Sequence, residues 1–141
     1  MTKGLIRTLF ILCLIGTTHI CYAENLALSR ALTKNVSVTG QMTVEKFNQL
    51  LSQGFKSVIV NRPDDEQGNL TSAHQLRDLA EKSKISLIYQ PVTSGKINQT
   101  DIAEFAKYYN SLPKPILMIC RSGTRSAALY SQAHSQGLLH E

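Results

Sequence analysis

Short apolar runs and helical patterns alternate along the chain from about residue 36 onward. Four runs have the length and composition of buried strands: 36–38, 57–61, 85–89 and 116–119. Four stretches carry apolar residues three or four positions apart and predict helices over about 43–53, 72–82, 98–112 and 125–136. This order favours an α/β fold in which right-handed crossovers build a parallel sheet of about four strands with helices on both faces. The run 116–119 is the most apolar, so we expect it to be the central strand.

Polar residues mark where these helices begin. Thr43 precedes the first helix, and Ser72 with Gln75 forms the pattern of a capping box before the second. Asn98 or Thr100 caps the third helix. The carboxyl ends of parallel strands meet at one edge of the sheet, where ligands of such folds bind. Three loops reach this edge: 61–66, 91–98 and 120–125.

Residues 1–23 have the pattern of a secretory signal peptide. Lys3 and Arg7 precede a continuous apolar run, 8–16, and small residues at Cys21 and Ala23 fit cleavage before residue 24. The run is too short for a bilayer span of about 20 residues, and an uncleaved membrane anchor is the alternative. We therefore predict export to a bacterial periplasm without stable membrane insertion after cleavage. The mature chain then has a lead-in at 24–35, mobile or a short helix, and one domain over 36–141.

Composition narrows the class of protein further. Hydrophobic residues make up 43% of the 141 residues and charged residues 18%, values that exclude a disordered or collagen-like class. Loss of the signal would remove two basic residues and no acid, which lowers the formal net charge from +5 to +3. This modest charge, with no Trp and few aromatic residues, argues against a nucleic-acid partner. The histidines are dispersed without ligand spacing, so we predict no metal site and no cofactor.

Cys120 is the single cysteine that remains after cleavage. In an oxidising compartment a solitary thiol is buried, paired with another chain, or reactive. It ends the most apolar strand, just before the last helix. The free N–H groups of a helix start form an anion site, and comparable sites lower the pKa of a cysteine thiol to about 3.5–7.5. We predict a nucleophilic Cys120 thiolate; the alternative is a small core residue beside solvated arginines.

The residues after Cys120 supply groups that suit an anionic substrate. Gly123 permits a positive φ and a close approach of backbone to ligand. Arg125 is the predicted catalytic partner, because its guanidinium can donate two hydrogen bonds to an oxyanion. Arg121 is expected to add a second positive charge. Three hydroxyl groups are expected to add hydrogen bonds: those of Ser122, Thr124 and Ser126.

Two neighbouring loops can add a second layer of residues around this site. Gln41 belongs to a Thr-Gly-Gln sequence that either faces the pocket or forms only a strand-to-helix turn. Arg62 and Asp64 lie in the loop after the second predicted strand. Asp64 and the neighbouring Asp65 are candidate general acids; the alternative is a solvated turn or an ion pair with Arg62.

Four motifs occur in the order of a known family: 39–41, 54–59 leading into 61–64, Pro91-Val92, and 120–126. On these motifs the chain, over about 36–136, resembles the phosphatase-like domain of beta-lactamase hydrolase-like proteins. The resemblance implies the fold of protein tyrosine and dual-specificity phosphatases, a rhodanese-like activity, and Cys120 as the active-site residue. Members of the family continue beyond the last helix, so we expect this domain to be short at its carboxyl end.

The spacing of Cys120 and Arg125 helps to distinguish phosphate hydrolysis from sulfur transfer. Four residues lie between them, one fewer than in the phosphatases that the chain resembles, and the shorter loop resembles that of single-domain rhodaneses. The loop 91–98 has no carboxylate to protonate a leaving group, whereas sulfite or a thiolate leaves as an anion. We therefore predict a sulfurtransferase that moves sulfur through a Cys120 persulfide, from thiosulfate or glutathione persulfide to a thiol acceptor. The alternatives are a cysteine-dependent phosphatase and a non-catalytic module that binds anions or carries sulfur.

Overall fold

The computed structural model describes residues 27–141, so the predicted signal peptide lies outside the described residues. The strands are β1 (Arg30–Ala31), β2 (Val36–Thr39), β3 (Ser57–Val60), β4 (Ser86–Tyr89) and β5 (Ile116–Ile119). The helices are α1 (Val44–Leu51), α2 (Ala73–Lys82), α3 (Gln99–Ser111) and α4 (Thr124–Ser135). Within 27–141, none of the helices has the length and hydropathy that crossing a membrane requires.

The strands form one sheet in the order β1-β2-β5-β3-β4. All neighbours pair in parallel except β1, which runs antiparallel to β2. At the centre, Leu117 of β5 is in register with Ser37 of β2 and Val58 of β3. The predicted α/β fold, with helices on both faces of a parallel sheet and the run 116–119 at its centre, is confirmed.

The described sheet has five strands, where the sequence predicts about four. The additional strand is β1, in the segment expected to be a mobile lead-in or a short helix. Arg30 pairs with Val38 and Ala31 with Ser37, which gives partners to backbone groups on the outer edge of β2. The Thr39 hydroxyl also donates to the Leu28 carbonyl at 2.7 Å. β1 has only two residues and both are exposed, so it lacks the apolar pattern by which the sequence reveals the other strands.

The hydrophobic core lies on both faces of the sheet. In β5, Ile116 and Met118 pack in a cluster with buried residues of α3 and α4. Leu117 and Ile119 point to the other face and pack with buried residues of α1 and α2. A strand covered on both sides has no polar face, which is why this run is apolar throughout.

Three helices begin at the polar residues that the sequence indicates. Thr43 accepts the N–H of Lys46, and Ser72 forms the predicted capping box with Gln75. For the third helix the cap is Asn98, whose side chain forms a capping box with Asp101. Helix α4 differs, because it follows Gly123 and has no side-chain cap. The N–H groups in the first turn of α4 therefore donate to no capping side chain and can donate to groups held by the preceding loop.

Candidate active site

A cavity of about 270 Å³ opens beside the carboxyl ends of β4 and β5. The loop after β4 contributes Ser94, Gly95 and Ile97, and the remaining wall comes from residues 120–128. Among the described residues that line it, two are arginines, Arg121 and Arg125, and none is a carboxylate. The charge of the cavity therefore favours an anion.

Cys120 lines this cavity with only 1% of its surface exposed. Its Sγ accepts a hydrogen bond from the Gly123 N–H at 3.0 Å. Burial raises the pKa of the Cys120 thiol, but hydrogen bonds from Ser126, Ser122 and Gly123 outweigh burial, and the pKa lies below its usual value. The surroundings thus favour the thiolate, which is the nucleophilic form of cysteine.

The loop from Cys120 to Arg125, here called the Cys120 loop, requires glycine at position 123. Gly123 has a φ of 89°, in the left-handed region. A Cβ at this position would also lie 3.3 Å from Cγ2 of Val38. A side chain here would disturb both the turn and the N–H that faces the sulfur.

The segment after β2 holds the Cys120 loop from the side. Gly40 forms an isolated antiparallel bridge with Ser122, and the Gln41 N–H donates to the Arg121 carbonyl at 2.9 Å. A Cβ on Gly40 would lie 2.5 Å from that carbonyl oxygen, so glycine is needed for this close approach. The Thr-Gly-Gln sequence therefore contacts the predicted site as well as linking β2 to α1.

Arg125, the predicted catalytic partner of Cys120, is 8% exposed and firmly held. Its Nη1 donates to the Val92 carbonyl at 2.8 Å, and its Nη2 lies 2.8 Å from Oε2 and 3.1 Å from Oε1 of Glu66. Its Nε is buried and has no hydrogen-bond partner within residues 27–141. The Arg125 guanidinium therefore keeps an N–H that no described residue accepts.

Glu66 is a site residue that our sequence analysis missed. It accepts from Arg125 and also lies 3.1 Å from Nε of Arg62, which is itself 3% exposed. Arg62 further donates to the side chain of Gln41 and to the Gln67 carbonyl. The available signal was the spacing of Arg62 and Glu66, four residues apart in one loop, which places opposite charges within reach.

Asp64, a candidate general acid in the sequence, lies outside the cavity that contains Cys120. It is exposed and does not line the cavity. Its Oδ1 accepts the Ala73 N–H at 2.7 Å, and its own N–H donates to the Tyr89 hydroxyl at 2.9 Å. Arg62 pairs with Glu66, which replaces the Asp64 ion pair considered above. Asp64 therefore stabilises the start of α2.

The three predicted hydroxyl groups have different surroundings. Ser126 is fully buried, its hydroxyl donates to Oδ1 of Asn61 at 2.8 Å, and it lowers the pKa of the Cys120 thiol. Ser122 and Thr124 are exposed, and the Ser122 hydroxyl donates to that of Thr124 at 3.2 Å. Of the three side chains, only that of Ser126 contributes to the lowered pKa of the Cys120 thiol. Asn61 was not among the predicted site residues.

Solved structures with the same arrangement of helices and strands include several phosphatases. A candidate phosphatase from Neisseria meningitidis is 27% identical, with a TM-score of 0.70 and 77% of each chain covered. The core catalytic domain of a PP-IP phosphatase from S. cerevisiae shares the fold at 16% identity, with a TM-score of 0.61 over 77% of this chain and 65% of that one. The fold and the cysteine loop thus define an α/β domain of the phosphatase type.

The sequence comparison narrows this class to one family. The model of the phosphatase-like domain of beta-lactamase hydrolase-like proteins matches residues 28–137, and the chain belongs to that family. A beta-lactamase hydrolase-like protein from Agrobacterium fabrum is 29% identical over 99 residues, which are 70% of this chain and 23% of the relative. The match thus spans about a quarter of the relative's length. The resemblance proposed from the four motifs is confirmed.

Proposed function

We propose that this domain is a cysteine-dependent phosphatase that acts on phosphate monoesters. The observation that carries the proposal is the Gly123 N–H, 3.0 Å from Cys120 Sγ, in a cavity that contains Arg125 and no carboxylate among its described lining residues. A thiolate beside fixed hydrogen-bond donors is the arrangement that phosphoryl transfer through cysteine needs. The family and the solved phosphatases support this function over sulfur transfer, which the sequence alone favours.

The reaction proceeds in two displacements at phosphorus. Cys120 Sγ attacks phosphorus, an S–P bond forms, and the bond to the leaving oxygen breaks with its electron pair on that oxygen. Water then attacks the phosphocysteine, gives its proton to solvent, and releases inorganic phosphate with the thiolate restored. The N–H groups of the Cys120 loop and the Arg125 side chain stabilise the charge on the phosphoryl oxygens in both steps.

The placement of the carboxylates favours substrates with good leaving groups. Both oxygens of Glu66 lie within ion-pair distance of arginines, and Asp64 stabilises the start of α2. Asp64 and Asp65 are both exposed, and neither lines the cavity. This loop, which lies within the described residues, therefore places no carboxyl group at the cavity to protonate a leaving oxygen, which general acid catalysis would require. The proposal therefore covers aryl phosphates, whose phenolate departs without prior protonation.

Turnover of para-nitrophenyl phosphate tests this function. We expect hydrolysis by the purified protein, loss of activity in Cys120→Ser, and a fall in kcat of about 10²–10³-fold in Arg125→Lys. Arg77→Lys, on α2 and outside the cavity lining, is the matched control and should keep full activity. A folded protein that leaves this ester intact over days would contradict the proposal.

Sulfur transfer is the second candidate, favoured by the four-residue spacing and by the absence of a carboxylate among the described lining residues. Cys120 attacks the outer sulfur of thiosulfate, an S–S bond forms, and sulfite leaves with the electron pair of the broken bond. A thiolate acceptor then takes the outer sulfur and restores the Cys120 thiolate. Thiosulfate should add about 32 Da to the protein and not to Cys120→Ser. That mass shift without ester hydrolysis would favour sulfur transfer over phosphatase activity.

A further inference from the structure

We infer that Arg62 and Gln41 are positioning residues that set the affinity of the Cys120 loop for anions, acting through Glu66 on Arg125. The inference rests on the anion site of the proposed function, but not on which reaction follows. Four side chains form the path, here called the Arg62 circuit: Gln41, Arg62, Glu66 and Arg125.

The circuit begins and ends on the Cys120 loop. At one end, the Gln41 backbone N–H donates to the Arg121 carbonyl at 2.9 Å, while the Gln41 side chain accepts from Nη1 of Arg62. At the other end, Arg125 closes the loop that Cys120 opens. The contacts therefore hold the Cys120 loop near both of its ends.

The middle of the circuit is a carboxylate shared by two guanidiniums. Glu66 Oε1 lies 3.1 Å from Arg62 Nε and 3.1 Å from Arg125 Nη2, and its Oε2 lies 2.8 Å from the same Nη2. The side chains of Arg62 and Arg125 are 3% and 6% exposed, and that of Glu66 is 18% exposed. A planar guanidinium can satisfy several fixed acceptors at once, which a lysine ammonium cannot do in the same geometry.

The circuit carries one positive charge more than it neutralises. Two guanidiniums face one carboxylate, and a buried charge without a counter-ion is costly. A bound anion beside Arg125 supplies the missing negative charge. Arg62 therefore strengthens anion binding without lining the cavity.

Loss of Arg62 changes the site in two ways. Glu66 would have Arg125 as its remaining arginine partner, so the formal charge of the circuit falls to zero. Glu66, the carboxylate partner of Arg125, would also lose the contact with Arg62 that helps to fix its position. Both effects weaken the attraction of the Cys120 loop for an anion while leaving Cys120 itself in place.

Alkylation of Cys120 by two small reagents tests the inference without any substrate. Iodoacetate is an anion and iodoacetamide is neutral, so the ratio of their rates reports the positive potential at the sulfur. We expect Arg62→Gln to lower this ratio about two- to thirtyfold. Arg62→Lys keeps the charge but not the fork, and should give an intermediate ratio. The matched control Arg77→Gln should leave the ratio unchanged.

A purely structural role predicts a different result. Loosening of the fold changes both rates together and leaves their ratio constant, and such an outcome in Arg62→Gln would overturn the inference. Where Arg62→Gln fails to unfold cooperatively, Gln41→Leu decides, because Gln41 is exposed and its backbone N–H is kept. Its ratio must fall for the inference to stand. Suppose that Arg62→Gln lowers the iodoacetate-to-iodoacetamide ratio but the wild-type protein does not hydrolyse para-nitrophenyl phosphate. That result would contradict the proposed phosphatase activity and leave the inference about Arg62 intact.

Discussion

At the scale of single residues, the state of Cys120 depends on a balance between burial and hydrogen bonding. Burial opposes the negative charge of a thiolate, and N–H and O–H donors favour it. In this site the donors prevail, and the pKa of the Cys120 thiol is lowered. The donors come from the backbone of the Cys120 loop and the first turn of α4, so the charge of the sulfur depends on the shape of a loop.

The pH dependence of Cys120 alkylation follows from this lowered pKa. The thiolate fraction rises as pH rises through the pKa, so the iodoacetamide rate should reach half its maximum below the free-thiol value of about 8.5. Ser126→Ala removes a hydroxyl that lowers the pKa of the Cys120 thiol and should raise the midpoint. Ser122→Ala keeps its backbone N–H and should not. A wild-type midpoint equal to that of the unfolded chain in guanidinium would contradict the assignment.

At the scale of elements, the loop after β3 serves two neighbours at once. Glu66 reaches Arg125 at the start of α4, and Asp64 reaches the Ala73 N–H at the start of α2. Two carboxylates of one loop, two positions apart, thus have different tasks, one at the site and one at the start of a helix. The sequence alone makes Asp64 a candidate general acid, whereas in the structure Asp64 accepts a hydrogen bond at the start of α2.

The role of Asp64 can be tested by one substitution. Asp64→Ala should lower the free energy of unfolding by about 1 kcal/mol, because α2 loses a capping acceptor. Its kcat with para-nitrophenyl phosphate should change little. Asp64→Asn keeps an oxygen acceptor and should retain most of the stability in urea denaturation. A fall in kcat of about 10²-fold or more in Asp64→Ala would make Asp64 the general acid after all.

At the scale of the whole molecule, β5 joins the core to the site. It is the middle strand, it is buried on both faces, and its carboxyl end continues into Cys120. The sheet order also brings the loops after β2, β3 and β4 beside the Cys120 loop. The position of the sulfur therefore depends on packing from both sides of the sheet.

A core substitution in β5 should show this dependence on packing. Leu117 is fully buried in the cluster on the α1–α2 side, and Leu117→Ala should lower the free energy of unfolding by about 2–5 kcal/mol. Leu70 is 61% exposed, so Leu70→Ala is the matched control, with an expected change within about 0.5 kcal/mol. Equal effects in urea denaturation would mean that the described core does not stabilise the fold.

The sequence by itself determined the features that act over a few residues. Apolar periodicity gave the alternation of strands and helices, and polar residues such as Ser72 marked helix starts, because period and capping are local properties. The run 116–119 is apolar at every position, and this pattern predicted the central strand. The cysteine at its end, followed by a glycine and a helix, gave the predicted anion site.

Only the tertiary structure decided which distant residues meet. Glu66 and Arg125 are 59 residues apart, and Asn61 and Ser126 are 65 apart. Their contacts follow from the strand order, which places β3 beside β5, and no pattern along the chain encodes that order. Long-range pairing is decided by the packing of whole elements, and it settled which charged side chains surround the sulfur.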